Sequence, residues 1–386
     1  MKPALNSMYR LFCNAPGCIQ KGIVGLINLF ITCRLSLTKT PSFIIFFVTS
    51  RCNAHCSHCF YRSAVGAPED EMGLDAIKKV AHSLRNSNTL LLTGGEPFLR
   101  DDVPELCKAF YRYGKTKKIR IATNGYFTDK VIAASLEILQ EKVDLTMQVS
   151  LDAIGNAHDH LRGLAGLFER TSETILQLNS LKKQFPGLKV SVTATVSRAN
   201  CGKIEEISRY VKEKFGLTLD LALVRELGVG IHGLDKASQS EIAILEDAYK
   251  LPGGNELEAI LSRRFGSPGT KKYDIAGDFA RLEKETELDV IFKAERPAYR
   301  CLAGKTDLVI YPDGKVSLCE MAKPFGTLRD FDYDVYRLLH TPEAAEAGKK
   351  LQDCFCMHPC HLISAMRHDA RVLLEMKNAK IPRQAD

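Results

Sequence analysis

The chain predicts an α/β fold: a parallel sheet built from six strand–helix units, followed by a small cysteine-bearing module. Three observations carry this. Apolar, β-branched and aromatic runs alternate with amphipathic helical stretches between residues 43 and 225, the pattern of a parallel sheet. The 386 residues suffice for one large α/β domain plus a smaller one. Eight of the thirteen cysteines fall into two groups, one at 52–59 and one after residue 300.

The strand-like runs are Phe43–Thr49, Thr89–Thr93, Lys118–Thr123, Asp144–Leu151, Lys189–Val196 and Thr218–Val224. Helical periodicity separates them at Leu74–Leu84, Val103–Tyr113, Asp129–Glu141, Leu167–Lys183 and Lys203–Phe215. Residues 226–300 read as a connecting helical segment. Glycines at 228, 230 and 233 and the turns Pro252-Gly-Gly254 and Gly266-Ser-Pro-Gly269 break it into pieces. It either completes the wall around the sheet or covers a substrate. The expected parts are therefore an arm at 1–42, the strand–helix domain at 43–225, the connector at 226–300 and a module at 301–386. No internal repeat or low-complexity tract is visible.

The formal charge of +7 lies wholly in the first 68 residues, which hold seven Lys and Arg and no acid. The rest of the chain is balanced, which argues against a nucleic-acid surface. Within the arm, Gly22–Cys33 is an apolar run of twelve residues between Lys21 and Arg34. That run is shorter than the ~20 residues a membrane-crossing helix needs. No small-residue cleavage site follows it. Two readings remain: a helix packed on the sheet domain, or a segment in a membrane interface whose cationic flanks meet anionic lipid. Cys13, Cys18 and Cys33 have no ligand-like grouping, and Cys107 and Cys201 stand alone on helical stretches as expected core residues.

Cys52, Cys56 and Cys59 form a C-x3-C-x2-C cluster directly after the first strand. A cubane iron–sulfur cluster takes four cysteines, so three from one loop leave one iron open to a small molecule. The competing reading is structural zinc with His55 or His58 as fourth ligand. Zinc sites usually show two paired half-motifs, no second pair lies nearby, and zinc leaves the later glycine–acid motif unexplained. On this spacing the chain resembles the radical S-adenosylmethionine (SAM) enzymes. The resemblance implies an incomplete (β/α)6 TIM-type barrel, with the cysteine loop on the C-terminal rim where barrel chemistry sits.

Further motifs extend the resemblance. Thr93-Gly-Gly-Glu-Pro97 follows the second strand; its glycines permit close backbone approach. In the family Gly94, Gly95 and Glu96 contact the SAM amino group. Ser150 and Asp152, at the end of the fourth strand, suit ribose hydroxyls, although helix capping accounts for Asp152 equally well. Arg162, in His158-Asp-His-Leu-Arg-Gly163, matches an arginine that holds the SAM carboxylate through paired charged bonds; a surface ion pair is the plainer alternative. Phe60 is expected against adenine. Thr123-Asn-Gly125 is a familiar family feature, whereas the glycine-rich fifth strand of the family is replaced by Thr193 and Thr195.

Cys301 opens a C-x12-G-x4-C pattern through Gly314 to Cys319, with an Asp-Gly hairpin turn between. Cys354, Cys356 and Cys360 follow. This resembles the SPASM and twitch modules that hold auxiliary 4Fe-4S clusters. Five cysteines fit one such cluster: Cys301, Cys319 and Cys360, with Cys354 or Cys356 as the fourth. A zinc ribbon is the alternative.

The resemblance implies a SAM-binding 4Fe-4S cluster, a second 4Fe-4S cluster and SAM as cofactors. It also implies a reducing donor such as flavodoxin or ferredoxin, a cytoplasmic setting, and hydrogen abstraction by a 5′-deoxyadenosyl radical. Candidate substrates are a ribosomal peptide or a small or lipid-like molecule. Residues 1–42 are too short and apolar for the peptide-docking winged helix common in peptide-modifying members. A non-catalytic iron–sulfur or zinc protein is the remaining alternative.

Overall fold

The computed structural model describes residues 2–61, 70–84, 87–225, 252–253, 275–293, 299–351 and 359–376. In chain order, α1 (Lys2–Asn14) and α2 (Gly17–Leu37) lead into β1 (Phe43–Thr49), α3 (Leu74–Ser83) and β2 (Thr89–Gly94). Then come α4 (Val103–Arg112), β3 (Lys118–Thr123), α5 (Thr128–Leu139), β4 (Asp144–Ser150), α6 (Asn156–Arg162), α7 (Leu167–Lys182), β5 (Leu188–Val196), α8 (Ile204–Phe215) and β6 (Leu219–Leu223). After α9 (Ile275–Lys293) the chain forms β7 (Asp307–Ile310), β8 (Lys315–Ser317) and β9 (Gly326–Thr327). It ends in α10 (Val335–Leu339), α11 (Pro342–Lys350), α12 (Pro359–Arg367) and α13 (Val372–Met376).

The chain divides into two compact units: 1–38 with 253–303 and 350–386, and 39–252 with 304–349. In the larger unit one open sheet runs in the order β6-β5-β4-β3-β2-β1-β7-β8-β9. The first six strands pair in parallel, each with its sequence neighbour. β1 reads Phe-Ile-Ile-Phe-Phe-Val-Thr and is buried from Ile44 to Thr49. Such an unbroken apolar run suits a strand covered on both faces. Amphipathic helices supply the cover, as in Ile77 and Val80 of α3 and Leu106 and Phe110 of α4, all fully buried.

The sheet corrects the expected division at residue 301. β7 pairs in parallel with β1, from Phe43 opposite Asp307 to Phe46 opposite Ile310. The Asp313-Gly314 turn, with Gly314 at φ +87, then sends β8 back antiparallel. Leu308-Val-Ile310 is fully buried, and pairing with β1 on one edge and β8 on the other satisfies its backbone groups. The segment 304–349 thus extends the barrel sheet instead of forming a module of its own.

In the smaller unit, α1, α2, α9, α12 and α13 share a core of Tyr9, Phe12, Val24, Leu282, Met366, Val372 and Met376. The twelve-residue apolar run of the sequence lies inside a helix of 21 residues. Gln20 locks the α1–α2 elbow, its Nε2 donating to the carbonyls of Phe12, Cys13 and Ala15 at 2.9, 3.3 and 3.0 Å. The core that buries α2 is built from α1 and from helices of the C-terminal half of the chain. Cys107 is fully buried as expected, but Cys201 is part-exposed.

Candidate functional site

A cavity of about 250 Å³ opens at the C-terminal ends of the parallel strands. It is lined by Cys52, Cys56 and Cys59 of the loop after β1, by Thr93–Glu96 after β2 and by Thr123 and Asn124 after β3. Ser150, Thr195 and Leu223 come from the next three strand ends, and Arg162 comes from the end of α6. The sequence-predicted Phe60, Gly94, Gly95, Glu96, Ser150 and Arg162 are all on this wall; Asp152 is not.

Backbone seams hold the cysteine loop on two sides. On one side the N–H of Gly95 donates to Thr49 O and that of Glu96 to Arg51 O, both at 2.8 Å. A Cβ on Gly95 would lie 1.9 Å from Arg51 O, and one on Gly94, at φ +129, 2.4 Å from Thr49 O. Both positions therefore demand glycine. On the other side His55 N donates to Arg162 O and Ser57 N to Leu161 O, both at 2.9 Å. Gly163, at φ +58, ends α6 where a Cβ would meet His55 O at 2.7 Å. The Gly-Gly-Glu and Arg-Gly motifs are thus clamps on the cysteine loop as well as wall.

Glu96 is 1% exposed. Its carboxylate accepts from Thr123 Oγ1 and the Asn124 N–H at 2.8 Å and from the Phe98 N–H at 3.2 Å. Burial pushes its pKa up to about 7 despite these donors and the charge of Arg162. A buried carboxylate with neutral partners suits an incoming cation.

Asp152 behaves differently. Oδ2 accepts from Arg162 Nε at 2.7 Å and lies 3.3 Å from His58 Nε2, while Oδ1 accepts from the Thr195 N–H at 2.8 Å. Burial works against its charge, but Arg162, His58 and His158 outweigh it and hold the carboxyl below the usual carboxylate range. The expected ribose contact gives way to this internal network, because the carboxylate is fully buried and engaged by three partners. Arg162 itself stays charged through Asp152 and the neighbouring thiols, and its Nη1 lies 3.9 Å from Cys56 Sγ. Burial pushes His58 down below its ordinary value.

The thiols fit an iron–sulfur cluster. Burial pushes Cys52 up to about 11 and Cys59 up to about 12, so a strong local positive charge is needed to make them thiolates. Among the described residues, no three His, Cys, Asp or Glu side chains converge on a single-ion position. A cubane takes each thiolate on a separate iron and so does not need the three thiols to meet at one point.

Sequence reasoning missed Arg225, which follows β6. Its guanidinium stacks 3.7 Å from the Phe60 ring centroid and pairs with Glu320 at 3.3 Å. Its place at a strand end was the available signal. Asn124 was also unassigned; its Nδ2 donates to Asn53 Oδ1 at 2.8 Å and ties the third strand end to the cysteine loop. Of the second cysteine group, Cys301 falls in the smaller unit and buried Cys319 in the larger. Cys354 and Cys356 lie outside the described residues, as does the side chain of Cys360 on α12.

One open sheet, parallel through its first six strands, thus brings a three-thiol loop and a buried acid to one cavity. Residues 46–196 match the family model for the Radical SAM superfamily. The AdoMet-dependent heme synthase of Methanosarcina barkeri is 31% identical over 46% of this chain and 49% of its own length. AlbA, the subtilosin biosynthesis protein of Bacillus subtilis, is 26% identical over 81% of this chain and 64% of its own. The chain spans about half the length of the heme synthase and just under two thirds of AlbA. Among solved structures, AdoMet-bound anSMEcpe aligns over 79% of this chain and 82% of its own, at 18% identity and a TM-score of 0.53. SuiB of Streptococcus suis with S-adenosylmethionine aligns over 81% and 69%, at 15% identity and a TM-score of 0.51. These two share the fold.

Proposed function

We propose that this protein is a radical SAM enzyme that abstracts hydrogen from an organic substrate. The observation that carries the reading is one cavity holding Cys52, Cys56, Cys59 and Glu96 at the strand ends. Cys52, Cys56 and Cys59 would hold a 4Fe-4S cluster, which would supply the electron for reductive cleavage of the SAM sulfonium to methionine and a 5′-deoxyadenosyl radical. Glu96 takes the SAM ammonium group, and the terminal nitrogens of Arg162 take its carboxylate. Gly94 and Gly95 keep the backbone close enough for both, and Ser150 faces the ribose. Phe60, backed by Arg225, presents its ring to adenine. The surrounding strands exclude water, which protects a radical from quenching.

The electron comes from a low-potential donor such as flavodoxin or ferredoxin, which places the enzyme in the reducing cytoplasm. Cys301, Cys319, Cys360 and one of Cys354 and Cys356 would hold a second 4Fe-4S cluster, which would accept an electron from the substrate radical, bind substrate or relay electrons. Substrates of two classes fit: a ribosomal peptide, by likeness to AlbA along most of this chain, or a small molecule, by likeness to the heme synthase.

Anaerobically reconstituted protein given SAM and dithionite should release 5′-deoxyadenosine, and Cys56→Ala should release none. Iron-loaded protein that binds SAM without cleaving it would identify a non-catalytic iron–sulfur protein. Protein that takes up zinc and no iron would identify a zinc protein.

A further inference from the structure

Helix α2 has two apolar faces, and the core uses only one. Val24 is buried, and Ile23 and Ile27 pack on the helical core. Asn28, on the same side, donates to Asp369 Oδ1 at 3.4 Å and accepts from the Ala370 N–H at 2.7 Å. On the other side Ile19, Leu26, Leu29, Phe30 and Leu37 are 51–78% exposed. At 100° per residue these five fall in one stripe about 100° wide, with Lys21 and Arg34 on opposite flanks. Exposed Leu5, Met8 and Leu11 on α1 add to the apolar surface. Elsewhere among the described residues, the exposed large hydrophobics are Tyr113, Leu136 and Leu176, at 40% or less.

We infer that the outer stripe of α2 lies flat in the interfacial layer of an anionic membrane. Contiguous apolar surface of this kind marks an interaction site. Charge selects the occupant. Neither helix carries an acid, and Arg10, Lys21 and Arg34 are exposed. Anionic head groups complement this set, with long cationic side chains reaching past the apolar stripe to the phosphates. A second copy docking by the same patch would oppose cation to cation.

The 21 residues of α2 are long and apolar enough to cross a bilayer by length and composition. Packing assigns the flat orientation instead. Spanning would strip Val24, Ile23 and Ile27 from their core and carry Gln20 and Asn28 into hydrocarbon without their partners, which is costly. A helix with one face on protein and one on lipid lies in the membrane plane.

The test is pelleting of full-length protein with phosphatidylcholine vesicles, with or without about 30% phosphatidylglycerol. It reads no SAM chemistry, so its failure is separate from failure of the proposed reaction. Binding should require the anionic lipid, fall as salt rises, and be lost under alkaline carbonate. The triple variant Leu26→Ser, Leu29→Ser, Phe30→Ser and the double variant Lys21→Glu, Arg34→Glu should each weaken it at least about tenfold, with an unchanged thermal transition. No pelleting at low salt would overturn the inference. So would binding that resists carbonate, which means a spanning helix, or a dimer that the triple-serine variant dissolves.

Discussion

The strand ends of β2 and β4 carry buried carboxylates, Glu96 and Asp152; the sequence offers Glu96 to SAM and leaves Asp152 between a ribose contact and a helix cap. The fold treats them in opposite ways. Glu96 is held by a hydroxyl and two backbone N–H groups, all neutral, and faces the cavity. Asp152 is held by a guanidinium, a histidine and one N–H, and faces away. A carboxylate with neutral donors keeps its charge available to a cationic ligand. One already matched to arginine has spent it on the scaffold. Which groups solvate a buried acid therefore decides whether it reads as site or as structure.

Breaking the structural acid should have the larger effect on folding. Asp152→Asn leaves Arg162 buried without its counter-charge, and we expect a loss of about 3–5 kcal/mol in denaturant unfolding. Removing both partners should cost less than the sum of the singles, because the two are directly bonded. Additive losses would show that the pair is not coupled.

Glu96→Ala should act chiefly on ligand. SAM affinity, read by calorimetry on cluster-loaded protein, should drop by about 1.5–3 kcal/mol, the worth of a charged hydrogen bond. Iron content should be unchanged. Asp152→Asn variants that remain folded should lose less affinity than this; an equal loss would erase the distinction between the two acids.

Acid titration sharpens the contrast. The Glu96 pKa is raised to about 7 in the folded chain. Ligand-free stability is therefore highest below its unfolded value near 4.5 and falls as pH rises toward 7. Asp152 is depressed, so its contribution is present above its unfolded value near 3.8 and is lost as pH falls further. SAM affinity should rise between pH 5.5 and 7 as Glu96 ionises, a range in which an α-amino group stays protonated. Glu96→Ala should flatten that rise.

The smallest effect belongs to a third pair. Arg225 and Glu320 meet at 3.3 Å with the arginine 23% exposed. Arg225→Ala should lower stability by about 1–2 kcal/mol, through the lost stack on Phe60 and the loss of one partner of Glu320, whose side chain is 4% exposed. A loss as large as that of Asp152→Asn would mean that burial is not what separates these pairs.

The strand–helix alternation was legible because each strand is an apolar run with period-2 or continuous burial and each helix shows its own period. The observed strands begin and end within one residue of the expected bounds. The cysteine loop was legible because its residues are contiguous and chemically distinctive. The Asp152 network was not, since His58, Arg162 and Thr195 meet it only after four chain segments converge. The reach of α2 was hidden by Arg34 and Ser36, which follow the apolar run but are exposed on a continuing helix. Helix α6 shows no apolar period in its seven residues. The pairing of β7 with β1 left no mark in either strand, because an apolar triplet does not name its partner.

That pairing has a cost in time. Phe43 and Asp307 lie more than 260 residues apart in the chain. At about 5–20 residues per second, a ribosome takes roughly 13–50 s to bring out the partner of β1. Through that interval Phe-Ile-Ile-Phe-Phe holds one unpaired backbone edge, the kind of template on which nascent chains pair with one another. The newborn chain therefore carries this open edge until its own late strand arrives.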